Sequence, residues 1–140
     1  SFAAAPLLAN VIRVGPRRGS LLVAGGGPLG PEITSRFIDL AGGKDAPILW
    51  VPTADTGEGA GKLSQTFLAR AGCENLSVLH TRSREEADSE AFAARIRKAK
   101  GVWFAGGRQW RLVDSYLNTR TQKELFALLD RDGVIGGTSA

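Results

Sequence analysis

Apolar residues fall along this chain in short unbroken runs rather than in alternation. SLLVAGGG (20–27), APILWVPTAD (46–55), NLSVLHT (75–81), GVWFAGG (101–107) and GVIGG (133–137) each read as a strand that meets no water on either face. Between them the spacing changes to a helical period. Ile33, Phe37, Ile38 and Leu40 predict a helix over Pro31 to Leu40. Leu63, Phe67 and Leu68 predict another from about Gly59 to Ala71, with Gly72 as its stop. In SREEADSEAFAARIRKA (83–99), Ser83 and Glu86 form a capping-box pattern at the start of a third helix. Arg108 to Leu117 and Thr121 to Asp130 predict two more, broken at NTR. Buried strands separated by helices imply a mainly parallel sheet covered on both sides, a three-layer α/β sandwich. In such a sheet the turns at the carboxyl ends gather along one edge, where ligands bind. Here those turns are GGGPLG, PTADTGEG, HTRS, AGGRQ and GGTSA.

Composition narrows the picture without changing it. A chain of 140 residues can bury one core, and 43% hydrophobic with 23% charged residues is ordinary for a globular protein. No run approaches the roughly 18 apolar residues of a membrane span, so no membrane partner is expected. The net charge of +4 comes from basic residues scattered among acids, which argues against a nucleic-acid partner. The single cysteine, Cys73, cannot form an internal disulfide and reads as a small buried or half-buried residue. Residues 1–18 read as an N-terminal arm, or as a secretory-signal remnant without an initiator Met or basic leader. Cytoplasmic residence is favoured over export. Residues 19–140 form the α/β unit.

Candidate chemistry concentrates in GGTSA (136–140). A nucleophile elbow needs small residues two before and two after its serine, because the strand turns into a helix too sharply to admit a Cβ there. Gly137 meets the first requirement for Ser139. The Ala140 N–H would then point into the site as an oxyanion donor. A plain strand-to-helix turn with a serine N-cap is the competing reading. The turn FAGGRQWRL belongs on the same edge, offering the Gly107 N–H to an oxyanion and Gln109 to a polar substrate group.

Taken together, LLVAGGG, ILWVPTA, VWFAGGRQWRL and GVIGGTSA, in this order, resemble the N-terminal half of the cyanophycinase and aspartyl dipeptidase group of serine peptidases (family S51). The resemblance runs from about Gly19 to Ala140. It implies a fold similar to the class I glutamine amidotransferases and hydrolysis of a small peptide or isopeptide bond through an acyl-enzyme, with no metal or organic cofactor. Ser139 matches the family nucleophile, Gln109 the glutamine of a substrate-lining turn, and Gly107 the source of an oxyanion amide. Arg108 replaces the acidic or amide residue usual before that glutamine, which favours an acidic substrate group. The resemblance also places the base and its carboxylate partner after the serine, so the chain reads as cut just past its nucleophile and inactive alone. His80, the single histidine, ends the third strand on the correct edge but upstream of the family position, and reads as a polar loop residue rather than the base. A monomer and a homodimer are both compatible with the resemblance.

Two other classes stay open. One is a non-catalytic α/β binding module. The other is a dinucleotide-binding domain, since Gly25 to Gly30 satisfies G-x-G-x-x-G. Against it, Asp45 comes too early and Asp55 too late for the ribose acid, and Pro28 and Pro31 remove amides that a phosphate would use. Trp50 and Trp103 read as core, and Trp110 as either pocket wall or helix packing.

Overall fold

A computed structural model describes residues 15–55 and 62–138. Residues 1–14, the start of the helix expected from Gly59, and the site residues Ser139 and Ala140 lie outside the described residues. The strands are β1 (Ser20–Ala24), β2 (Ile48–Val51), β3 (Leu76–Val78), β4 (Gly101–Phe104) and β5 (Val134–Thr138). They form one five-stranded sheet of order β1-β5-β4-β2-β3, with every pairing parallel. The chain thus has the α/β architecture that the unbroken apolar runs predict, but the two outer strands are not closed to water on both faces as expected: Leu21 and Val23 of β1 and Ser77 of β3 are exposed, because each of these strands lies at an edge of the sheet.

Two faces follow from the register. Leu22, Gly136, Trp103 and Trp50 align across one face, and Leu21, Ile135, Val102 and Leu49 across the other. Helix α1 (Pro31–Ala41) and the short α2 (Phe67–Arg70) cover the first face through Phe37, Ile38, Phe67 and Leu68. Helices α3 (Arg84–Ala87), α4 (Glu90–Arg97), α5 (Gln109–Tyr116) and α6 (Arg120–Asp130) cover the second through Ala87, Phe92, Ile96, Tyr116 and Leu128.

Two predicted helices are each broken by a capping hydroxyl. In the expected 59–71 helix, the described part is a 3₁₀ turn at Leu63–Gln65 followed by α2. Thr66 ends the turn by donating its hydroxyl to the Leu63 carbonyl and starts α2 by accepting from the Ala69 amide. In 83–99, Ser83 caps α3 as predicted, accepting from the Glu86 amide. The Glu86 carboxylate, however, takes the Thr81 hydroxyl at 2.7 Å, and the Ser83 amide also turns to Thr81. Ser89 then caps a separate helix, α4, and Asp88 accepts from the Arg120 amide at the start of α6.

Trp103 is the largest fully buried side chain. Its ring meets Phe37 and Phe67 edge to face, with centroids 5.1 and 4.9 Å away. It also lies flat against β5, where a Cβ on Gly136 would come within 2.4 Å of two ring carbons. At Gly137 a Cβ would find only ordinary contacts, 3.5 Å from Phe104. Among the described residues it is Gly136, rather than Gly137, whose missing side chain the packing requires. Gly136→Ala is therefore expected to destabilise the fold by about 1–3 kcal/mol through overpacking, and Gly137→Ala to change it by less than about 0.5 kcal/mol. Equilibrium denaturant unfolding of the two variants checks the contrast.

Candidate active site

The carboxyl edge of the sheet is built from turns that grip one another. After β4, the Ala105 amide donates to Val51 and the Arg108 amide to the Ala54 carbonyl, at 2.9 and 2.8 Å. Between them Gly107 adopts φ +150, and a Cβ there would lie 2.1 Å from the Ala54 oxygen. No other residue fits that approach. The Asp55 carbonyl accepts from Arg82 (3.1 Å) and from Arg111 (2.6 Å). The turn after β2 is thereby fastened to the start of α5, whose first residue is Gln109.

The far end of α5 is tied to the same strand. The Tyr116 hydroxyl accepts from the Thr81 amide (3.2 Å) and lies 2.6 Å from Thr53 Oγ1, which is 2.8 Å from His80 Nδ1. All groups are satisfied when Tyr116 donates to Thr53 and Thr53 donates to an unprotonated Nδ1. Burial, with help from Arg82 and against Glu86, pushes the His80 imidazole below its ordinary 6.5. Arg84 completes the strap, donating to the Asp114 and Leu117 carbonyls at the helix C-terminus.

A cleft of about 540 Å³ opens on the same edge. Ala105, Gly106 and Thr138 form one side, Trp50 and Phe67 the apolar wall, and Lys62 and Arg70 supply positive charge. Thr138 is fixed from below, because Trp103 Nε1 donates to its Oγ1 at 3.3 Å. The residue preceding Ser139 thus lines the cleft, next to the end of β4 and the turn that carries Gly107.

The sequence-predicted site residues are brought together only in part. Gly107 lies beside the cleft-lining Gly106, whereas Arg108 and Gln109 are exposed and line no part of the cleft. Arg108 is the N-cap residue of α5 without a capping side-chain bond. Trp110 is 55% exposed, with the Arg111 guanidinium over its ring. Lys62, Arg70, Phe67 and the inward role of Trp50 were not legible in the sequence, since they reach the cleft from segments that no motif connects. In the glycine-rich first turn, the Glu32 carboxylate stands beside Gly30 at the start of α1, where it would repel a phosphate. Among the described residues, no group of three His, Cys, Asp or Glu side chains is placed to hold a metal ion, and no helix is long and apolar enough to cross a membrane.

Residues 21–140 match the model of peptidase family S51. The chain belongs to that family. It is 30% identical over 128 residues to a cyanophycinase of Geminocystis herdmanii, covering 88% of this chain and 47% of that protein. A cyanophycinase of Synechococcus elongatus is 30% identical over 113 residues, 79% of this chain and 35% of that protein. The S51 chain therefore spans less than half the length of these curated relatives. Its fold is similar to the crystal structure of a peptidase from an acI-B1 Actinobacterium, with TM-score 0.69 and 24% identity over 86% of this chain and 54% of that one. A putative peptidase E protein of Listeria monocytogenes is also similar, with TM-score 0.57 and 17% identity over 87% of this chain and 59% of that one.

Burial holds the folded His80 imidazole below its ordinary 6.5, so its stabilising contribution is complete above 6.5 and is lost as pH falls through the lower folded value. An NMR titration of His80 is expected to give a midpoint below 6.5. Thr53→Val, which leaves the Tyr116 hydroxyl short of a buried partner, is expected to cost about 1–3 kcal/mol and to move that midpoint upward.

Proposed function

We propose that this S51 chain carries the nucleophile half of a serine peptidase that cleaves a small peptide or isopeptide bond through an acyl-enzyme. The observation that carries the reading is the juxtaposition at the sheet edge: β5, the strand leading to Ser139, ends at Thr138 on the cleft, beside the end of the adjacent strand β4, whose Ala105 and Gly106 line the same cleft just before Gly107. In this reading the Ser139 hydroxyl attacks the scissile carbonyl, and the Gly107 and Ala140 amides receive the developing oxyanion. Loss of the amine gives an ester on Ser139, and water releases the acid. Lys62 and Arg70 give the cleft a positive lining, which favours a substrate bearing a carboxylate. Gln109 and Arg108 stand outside it, where they meet the part of the substrate that projects beyond the cleft.

A serine hydroxyl needs a base, and His80 is committed to Thr53 beneath α5. The chain spans less than half the length of its cyanophycinase relatives, and in this reading the base and its carboxylate come from the remainder of that fold. The test is kinetic. In a protein that carries both halves, Ser139→Ala is expected to lower kcat by about 10³-fold or more while leaving unfolding unchanged. Gln109→Ala is expected to raise KM. A Ser139→Ala protein that keeps its rate removes the nucleophile assignment.

A further inference from the structure

His80, Thr53 and Tyr116 form a chain of two contacts: Thr53 Oγ1 lies 2.8 Å from His80 Nδ1 and 2.6 Å from the Tyr116 hydroxyl. Each contact needs one proton. With Nδ1 bare, the Thr53 and Tyr116 hydroxyls bring two, and both are used. Burial raises the Tyr116 phenol above its ordinary 10.0, so it keeps its proton. A proton on Nδ1 makes three donors for two contacts. Thr53 can then accept from both neighbours and leave its own O–H idle, or accept from His80 and donate to Tyr116, which leaves the phenol O–H idle. Among the described residues neither hydroxyl reaches a further acceptor. Water is no substitute, because Thr53 is 0% and Tyr116 5% exposed. The neighbouring Thr81 hydroxyl is already committed, donating to Glu86 at 2.7 Å and accepting from the Ser83 amide. The closed arrangement therefore admits one state of the imidazole, the neutral tautomer with its proton on Nε2.

The contact matters because of what stands beside it. Thr53 and Ala54 are consecutive, and they hold opposite ends of α5. Thr53 meets Tyr116, the last residue of the helix, and the Ala54 carbonyl accepts from the amide of Arg108, its N-cap, at 2.8 Å. The same carbonyl oxygen is the atom that a Cβ on Gly107 would strike at 2.1 Å, so the course of the Gly107 turn is set by where Ala54 stands. Burial and Arg82 oppose protonation of the imidazole, and Glu86 of α3 favours it. The turn after β2 meets the ring through the uncharged Thr53, and behind Thr53 α5 presents the protonated Tyr116.

We propose that His80 is a positioning residue for the Gly107 turn and acts as a proton-operated latch. The bare Nδ1 lets Thr53 and Tyr116 close α5 on the turn after β2, and a proton there opens that contact and frees the Gly107–Arg108 backbone. The latch is closed above the ordinary imidazole value of 6.5 and opens as the pH falls through the lower value of the folded state. That the turn serves a reaction rests on the function proposed above. The latch itself rests on the count of protons and contacts, and holds whether or not Ser139 is a nucleophile.

Amide exchange read by NMR on the 140-residue chain tests it without substrate. His80 is titrated through its ring protons, and the protection of the Arg108 amide, corrected for the intrinsic pH dependence of exchange, is followed over the same range. Protection at Arg108 is expected to fall about tenfold or more with the midpoint of His80 itself, while the Val102 and Trp103 amides stay protected. His80→Asn offers Thr53 an Oδ1 acceptor that takes up no proton, and is expected to hold Arg108 protection within about twofold across that range. Arg108 protection that stays constant while His80 titrates overturns the proposal. So does a loss that reaches Val102 and Trp103 equally, which assigns the imidazole to the stability of the whole fold. A loss that persists in His80→Asn also overturns it and assigns the effect to another titrating group. None of these outcomes bears on Ser139, whose role is read by the kinetic test.

Discussion

The contact between the Trp103 indole and the end of β5 is the constraint on which the arrangement depends. One side chain fills the α1–α2 face of the sheet, meets Phe37 and Phe67 edge to face, and excludes a Cβ at Gly136. Its single polar atom reaches Thr138, so the apolar core of this face is coupled directly to the residue before Ser139. A smaller ring at this position would leave a cavity under α1 and release the strand end together. Packing and site placement are thus one requirement, met by a pairing of tryptophan and glycine on adjacent strands.

The opposite face fixes the other half of the site by a different means. There polar bonds, added to the apolar packing of Leu112 and Tyr116, hold α5: the Arg108 amide on Ala54, Arg111 on Asp55, and Tyr116 on Thr53. The helix is tied at both ends to the turn after β2, and Gly107 is pressed between them with a backbone angle that L side chains rarely adopt. His80 is consumed in this scaffold as an acceptor for Thr53. Its Nδ1 is taken up by the Thr53 hydroxyl, which is a physical reason a lone histidine at the correct sheet edge need not be a base.

The α/β class was readable in the sequence because short, unbroken apolar runs bounded by glycine turns and spaced by helical periods form strands buried on both faces. Strand order was not readable in the same way: nothing in GVIGG says that it lies between β1 and β4. The helix breaks at Thr66 and Ser89 escaped the periodic pattern because a hydroxyl can cap one helix while ending the turn before it, and the pattern weighs only apolar spacing. Glycine punctuation located the edge that carries Gly107 and leads to Ser139, yet could not distinguish a glycine needed for a turn from Gly136, needed for the tryptophan beneath it. The cleft walls were hidden for a similar reason. Trp50, Phe67, Lys62 and Arg70 come from three segments and meet only once the sheet is assembled.

What this S51 chain offers is a formed sheet edge with a cleft, a tightly fixed glycine turn and a strand end aimed at both. The most direct measurement of the central claim is covalent: a fluorophosphonate is reacted with a protein carrying both halves of the fold, and the adduct is located by peptide mass spectrometry. The account predicts a single phosphonylated site at Ser139, with loss of hydrolysis in proportion to labelling. Labelling elsewhere, or full hydrolysis with Ser139 unmodified after treatment, would contradict it.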